Sequence, residues 1–388
     1  MAVTRTQTAA AKAPAPTPRP STISGKSTPP APAVVPKRLS LLGLLDMIPG
    51  LLTTVIYGIF SFWSGLFRGE RDAKTLFLHI AYAVLRKATA RLTPLQLQLI
   101  SPNTDKIYAR YARSKKITPN SVDLGDGAQG HWIGNSQAKT VLIWYHGGGY
   151  CLPANIGYFK FLERVIQATN DAGGDLAVFA LTYTLAPHAR YPTQLSQGVA
   201  ALRYVLDKTG RKPGQVLLGG DSAGGNLVFG VLSHLAHPHS RIKALKISEP
   251  LAGAATLSAW TLLDPSIAEE QQVYSGGDIV TPYVGGAWGG EFLNGTPRDY
   301  YTDASEAPSS WFETYPVKQI LLLGGENEIL MPVIEDFALK LKAGFPNMEL
   351  FVGKREAHVA PVYNIYVGDN TETEQGKKLK SWLRELVV

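Results

Sequence analysis

From about residue 105 onward, short apolar runs alternate with longer amphipathic stretches, and this constrains the chain more than any other feature. Thr140–Tyr145 (TVLIWY) is apolar without a break, as expected of a strand covered on both faces. Asp175–Tyr183, Gln215–Leu218, Ile242–Ile247, Gln319–Leu323 and Glu349–Val352 read as further strands. Between and after them, helices are expected near 156–170, 193–208, 223–236, 331–343 and 373–386. Strands that alternate with helices imply a mostly parallel central sheet with helices on both faces, an α/β fold. Residues 253–315 are irregular and break the alternation, so they are expected to form a cap insertion over the sheet's top edge. No internal repeat is visible.

The segment before this domain has a different composition. Residues 1–38 hold eight prolines and no acid, with Arg5, Lys12, Arg19, Lys26, Lys37 and Arg38. A stretch so poor in bulky apolar residues cannot offset its ordering entropy and is expected to be a disordered tail. Its lack of acids is shared with transit peptides, but its prolines break the helix such a peptide needs. The tail carries most of the chain's net charge of +7, which leaves a nearly neutral body. That excludes a basic groove for nucleic acid. The single cysteine, Cys151, excludes an internal disulfide framework and a multi-cysteine metal site, and it reads as a small buried hydrophobe.

Residues 39–68 form an apolar segment. Met47 to Phe67 contains no charged residue and, as a helix, would come close to the hydrocarbon thickness of a bilayer. Lys37 and Arg38 flank one end, and Arg68, Arg71 and Lys74 the other. Two readings stand. Residues 41–67 are a single-pass or monotopic membrane contact, which would make the protein membrane-associated. Alternatively they are a cap on a cytoplasmic protein, a reading supported by Pro49, Gly50, Gly58 and Ser64. Residues 70–92 follow as an amphipathic helix. The domain division is thus 1–38, 39–68 and 69–388.

The strongest chemical signal is Gly220-Asp221-Ser222-Ala223-Gly224, a G-x-S-x-G between the apolar strand QVLLG and the helix-forming NLVFGVLSHLA. A serine on such a strand-to-helix turn is exposed at the end of the sheet, as a nucleophile must be. The helix N-terminus behind it favours developing negative charge. The second signal is His146-Gly147-Gly148-Gly149-Tyr150, directly after TVLIWY. Three glycines let backbone N–H groups approach an oxyanion without side-chain obstruction. His146 itself reads as a structural residue of this loop.

A serine nucleophile needs a base, and the base needs an orienting carboxylate. In this architecture the chain order is serine, acid, histidine. Of the eight histidines only His358 lies well downstream, in the loop GKREAHVAP. His234, His237 and His239 read as surface residues on or beyond the helix that follows the serine. The strand QILLLG ends in Gly325-Glu326-Asn327-Glu328, and both Glu326 and Glu328 qualify as the acid on chemistry alone.

Over about residues 130–388 the sequence resembles the hormone-sensitive-lipase-like branch of the α/β-hydrolase fold. The resemblance rests on HGGGY at His146–Tyr150, GDSAGG at Gly220–Gly225 and LTYTLAPHARYP at Leu181–Pro192. It implies Ser222 as nucleophile and His358 as base. The family's acid–x–leucine pattern matches Glu328-Ile329-Leu330 and so implies Glu328. Backbone N–H groups of Gly148, Gly149 and Ala223 are the implied oxyanion hole. Departures are Thr184 and His188, where the family carries arginine and glutamate, and Ser248-Glu249-Pro250 in place of serine–proline–tryptophan. A looser likeness is to membrane-anchored fungal hydrolases that remove acetyl groups from sterols and to hydrolases of secondary-metabolite clusters.

The implied activity is hydrolysis of a carboxylic ester of a hydrophobic small molecule, with no metal or organic cofactor. Two rivals use the same scaffold. One is condensation, cyclisation or acyl transfer on a biosynthetic intermediate. The other is a non-catalytic small-molecule-binding protein.

Overall fold

The computed structural model describes residues 36–263 and 276–388. The expected tail, apart from its last three residues, and part of the expected insertion lie outside the described residues. The sheet has eight strands: β1 (Ser121–Gly125), β2 (Ala128–Ile133), β3 (Thr140–Tyr145), β4 (Leu176–Thr182), β5 (Val216–Asp221), β6 (Gly253–Leu257), β7 (Ile320–Gly325) and β8 (Met348–Gly353). Their spatial order is β1-β2-β4-β3-β5-β6-β7-β8. Pairing is antiparallel for β1–β2 and β2–β4 and parallel from β4 through β8.

β3 shows why the apolar run becomes a central strand. Val141, Ile143 and Tyr145 point into one core, shared with α6 (Thr193–Thr209) and α7 (Ala223–Ala236). Leu142 and Trp144 point into the other, shared with α5 (Ile156–Asn170) and the C-terminal helix Glu374–Val387. The period of two along the strand thus fills two cores at once, which is why its sequence does not alternate with polar residues.

Two expectations about strands are corrected. Ile242–Ile247 is not a strand; Lys243 and Lys246 lie exposed on the surface. The place between β5 and β7 is taken by β6, Gly253–Leu257 (GAATL), every residue of which is buried. An interior strand cannot hold two lysines, whereas small residues fit where Trp382 crowds the sheet: a Cβ on Gly253 would meet its ring at 2.8 Å. β6 therefore lies inside the segment 253–315 read as insertion, and the irregular chain begins only after it. The edge hairpin β1–β2 had no counterpart in the reading, because β1 is short and half-exposed.

The N-terminal residues form a helical layer beside this domain. The apolar segment is one helix, α1 (Leu41–Gly65), capped by the Ser40 hydroxyl, which accepts from Gly43 N–H. α2 (Leu76–Arg91) runs against it, and α3 (Pro94–Ile100) begins with a Thr93/Gln96 capping box. The buried side of α1 is Met47, Gly50, Thr54, Gly58, Ser61 and Gly65. These small residues let the two backbones approach: a Cβ on Gly58 would lie 2.7 Å from Val84 Cγ2. Arg91 clamps the pair by donating to both carboxylate oxygens of Asp46, at 2.9 and 2.5 Å. The other side of α1, with Ile48, Leu52, Val55, Ile59, Phe60 and Trp63, is exposed.

Candidate active site

Ser222 sits between β5 and α7 at φ 50° and ψ −119°, a backbone conformation costly for any residue with a Cβ. Three hydrogen bonds hold it there. Its N–H donates to Leu257 O at 2.9 Å, and its carbonyl accepts from Asn226 at 2.9 Å and Trp260 at 3.0 Å. Gly224 allows the tight turn, since a Cβ there would lie 1.9 Å from Tyr145 O. The serine is thereby presented from the C-terminal end of the sheet.

The glycine loop after β3 is braced by Asp221, the residue before the serine. This buried carboxylate accepts from Gly147 N–H at 3.1 Å, Trp144 Nε1 at 3.2 Å and the Tyr158 hydroxyl at 2.6 Å. Burial pushes its pKa up to about 7, partly offset by those donors and by His358. The Tyr183 hydroxyl donates to His146 O at 2.8 Å and the two rings stack. Burial lowers the His146 pKa to about 4. Its ring packs in the loop's foundation, as the sequence reading had it. The N–H groups of Gly148, Gly149 and Ala223 make no hydrogen bond to an acceptor among the described residues, and Gly148 and Gly149 line the same cavity as Ser222.

His358 and Glu328 arrive on the loops after β8 and β7. His358 Nδ1 lies 2.8 Å from Glu328 Oε2, and both residues are buried. A carboxylate oxygen accepts, so Nδ1 donates and Nε2 is left as the imidazole's open lone pair. Burial pushes the imidazole's pKa down, but Glu328, Asp278 and Asp221 outweigh it and the net direction is up. Glu326 is exposed and its carboxylate accepts from Arg355 N–H at 2.8 Å, so the structure brings Glu328 and not Glu326 to the imidazole. The next residue, Val359, is held at φ 51°, its N–H donating to Ser258 Oγ at 3.0 Å. Ser222 and His358 line one cavity; no hydrogen bond joins them in this conformation.

That cavity has a volume of about 350 Å³. It is walled by Leu85, Leu97 and Ile100 of the N-terminal layer and by Trp260, Val284 and Trp288 of the 258–293 region. α1 contributes no residue to it; α2 and α3 form the roof instead. Tyr150 is buried away from it, stacked on Phe292 with its hydroxyl on Asn226 Oδ1 at 2.7 Å. Cys151 is buried and its thiol pKa is raised by desolvation, as expected of a packing residue. His234 and His239, read as surface residues, are buried, with His239 N–H donating to His234 Nδ1 at 3.1 Å. Thr184 and His188 sit in a neutral network with Gln197 and Gln98.

One residue at the site has no counterpart in the sequence motifs. Asp278 is fully buried beneath His358 and Glu328. Its Oδ1 accepts from His358 N–H at 2.9 Å and Ile279 N–H at 2.7 Å, and its Oδ2 from Ile329 N–H at 2.8 Å. The signal available was a lone acid in an otherwise apolar and glycine context, Gly276-Gly277-Asp278-Ile279-Val280.

The arrangement defines a class: a serine on a strained turn, an imidazole backed by a carboxylate, and a glycine loop lining the same apolar cavity. A sequence profile of the alpha/beta hydrolase fold matches residues 142–361, more than half the chain, and the chain belongs to that family. It is 36% identical over 107 residues to steryl acetyl hydrolase 1 of Saccharomyces cerevisiae, covering 28% of this chain and 25% of that protein. To arylacetamide deacetylase of Rattus norvegicus it is 29% identical over 189 residues, covering 46% and 42%. The matched stretch thus spans less than half the length of either relative. A solved esterase of the bacterial hormone-sensitive lipase family superposes with a TM-score of 0.59 at 22% identity, over 81% of this chain and all of that one. The resemblance to the hormone-sensitive-lipase-like branch is upheld, and the fold agrees with it.

Proposed function

We propose that the protein hydrolyses a carboxylic ester of an apolar small molecule through an acyl-enzyme. The observation that carries this reading is that Ser222 and the Glu328-backed His358 both line one apolar cavity. In the first half-reaction His358 Nε2 takes the proton of Ser222 Oγ as that oxygen bonds to the ester carbon. The carbonyl oxygen gains the negative charge, which the N–H groups of Gly148, Gly149 and Ala223 stabilise. The C–O bond to the alcohol then breaks, and the alcohol leaves with the proton from His358. Water attacks the acyl-enzyme with His358 again as base, releasing the acid and restoring Ser222. Glu328 fixes the imidazole's tautomer and stabilises its cationic form. The apolar walls support a hydrophobic acyl or alcohol group. The names of the curated relatives, acetyl hydrolase and deacetylase, are consistent with removal of a short acyl group. The test is turnover of p-nitrophenyl acetate through octanoate by wild type and Ser222→Ala. Hydrolysis abolished by the substitution is expected; no hydrolysis by folded wild type contradicts the reading.

We also propose that the outer face of α1 rests on a membrane surface. The helix is long and apolar enough to cross a bilayer. Its inner face, however, packs along α2, which supports a helix lying in the interface. Lys37, Arg38, Arg68 and Arg71, close to its two ends, suit lipid headgroups. Flotation with phosphatidylcholine–phosphatidylserine vesicles tests this: binding is expected, and failure to float refutes it.

A further inference from the structure

We infer that Asp278 is a positioning residue that staples the His358 loop to the Glu328 loop, holding the imidazole and its carboxylate in register. The inference rests on the hydrolase reading for its kinetic consequence and on geometry for itself. Two loops that follow different strands must deliver their side chains to within a few tenths of an ångström of each other. The loops share backbone bonds farther back, Asn327 N–H to Glu356 O at 2.9 Å and Glu326 N–H to Gly353 O at 3.0 Å, but none of these engages the N–H of His358 or of Ile329. Asp278 supplies the restraint from below, because one carboxylate accepts the backbone N–H of His358 and that of Ile329, the residue after Glu328. A third N–H, from Ile279, donates to the same carboxylate on the loop's own side.

Three facts argue that this is more than incidental packing. The carboxylate is wholly buried, and a buried carboxylate is retained only where its partners offset a large desolvation cost. Two of its three partners, His358 N–H and Ile329 N–H, are backbone groups of the two site loops. The Asp278 segment is also anchored from outside: Arg86 of α2 donates to the carbonyl of Asp278 and, at 3.4 Å, to that of Gly276. The N-terminal layer touches the Glu328 loop elsewhere, with Asn327 Nδ2 donating to Asp72 O at 3.2 Å, and the helix Ala360–Val367 that follows His358, with the Tyr82 hydroxyl donating to Asn364 Oδ1 at 2.5 Å. The helical roof of the cavity and the proton relay are therefore built on one shared buttress.

Asp278 also acts on His358 through its charge. The groups facing the imidazole are Glu328, Asp278 and Asp221, and all three raise its pKa. The groups facing Asp278 are His358, Glu328, Tyr82 and Arg86. Burial places its own pKa at about 6. Removing its charge lowers the pKa of His358, an effect that a purely structural residue would not have.

The experiment combines kinetics with NMR of the full chain. In Asp278→Asn, kcat for p-nitrophenyl butyrate should fall at least about tenfold with KM within about twofold. The His358 imidazole midpoint should fall by about one unit. In wild type, the amide resonances of His358, Ile329 and Ile279 should move together with one common midpoint as Asp278 titrates, a readout that needs no variant to fold. An unchanged His358 midpoint in a folded Asp278→Asn, or amides that titrate independently, overturns the inference. Absence of ester turnover by wild type would instead overturn the hydrolase reading, while the NMR readouts still decide this one.

Discussion

A serine hydroxyl is a weak nucleophile at neutral pH, so the state of its proton acceptor governs the rate. On the proposed mechanism His358 must be neutral to accept that proton, and burial's downward pull on its pKa is outweighed by Glu328, Asp278 and Asp221, which hold it above the ordinary 6.5. Activity should therefore fall as pH drops through this raised value, and the acid limb of a kcat/KM profile should lie above pH 6.5. Glu328→Gln removes the nearest charge that raises it. The limb should move to lower pH while kcat drops by about 10³- to 10⁴-fold. A limb that stays in place would remove Glu328 from the relay. The same shift affects stability. A histidine whose folded value exceeds its unfolded value adds stability that is complete below pH 6.5 and lost as pH rises through the folded value. Glu328→Gln should therefore lower the melting temperature more at pH 6 than at pH 9, as a pair of thermal scans would read. That Ser222, His358 and the glycine loop line one cavity was legible, because the proposed chemistry demands fixed local patterns. Glu328 was separable from Glu326 only by the family pattern, since both follow the same strand. Asp278 was not legible, because it reaches the site through backbone groups, which leave no side-chain signature in the sequence.

At the scale of elements, the turn between β5 and α7 and the α1–α2 pair show opposite legibility. The strand-turn-helix around Ser222 is encoded locally, in five residues. The α1–α2 contact is encoded on one face of a helix whose whole circumference is apolar. Mean hydropathy cannot tell its lipid-like side from its packed side, whereas the small residues Gly50, Thr54, Gly58, Ser61 and Gly65 mark the packed one. Gly58→Leu should force α1 away from Val84 and cost about 1–3 kcal/mol, read as a lower urea midpoint. Ile56→Glu with Phe60→Glu, on the exposed side, should leave that midpoint within about 0.5 kcal/mol and abolish vesicle flotation. Flotation retained by the pair would assign the outer face to something other than lipid. The misread strand at Ile242–Ile247 has the same root. Apolar residues spaced for a strand say nothing about which of two neighbouring segments the sheet admits, and Lys243 and Lys246, which an interior strand would have had to bury, stay exposed.

For the whole molecule, the cavity lies where the N-terminal layer meets the α/β domain, so its shape depends on contacts between residues more than a hundred positions apart. This is why neither the pocket nor its walls could be read from motifs. Ala88 on α2 lines the cavity. Ala88→Phe should cut kcat/KM for p-nitrophenyl octanoate by at least about tenfold relative to the acetate, because a bulky ring competes with the long acyl chain for the same apolar volume. Equal loss on both esters would place the acyl group elsewhere.

The central claim is that Ser222 is activated by His358. Its most direct measurement is reaction with a fluorophosphonate, followed by intact mass and peptide mapping on wild type and His358→Ala. One adduct, located on Ser222 and lost or strongly slowed in the folded variant, is the expected result. A folded wild type that takes up no label, or labels with equal speed when His358 is gone, would contradict the account.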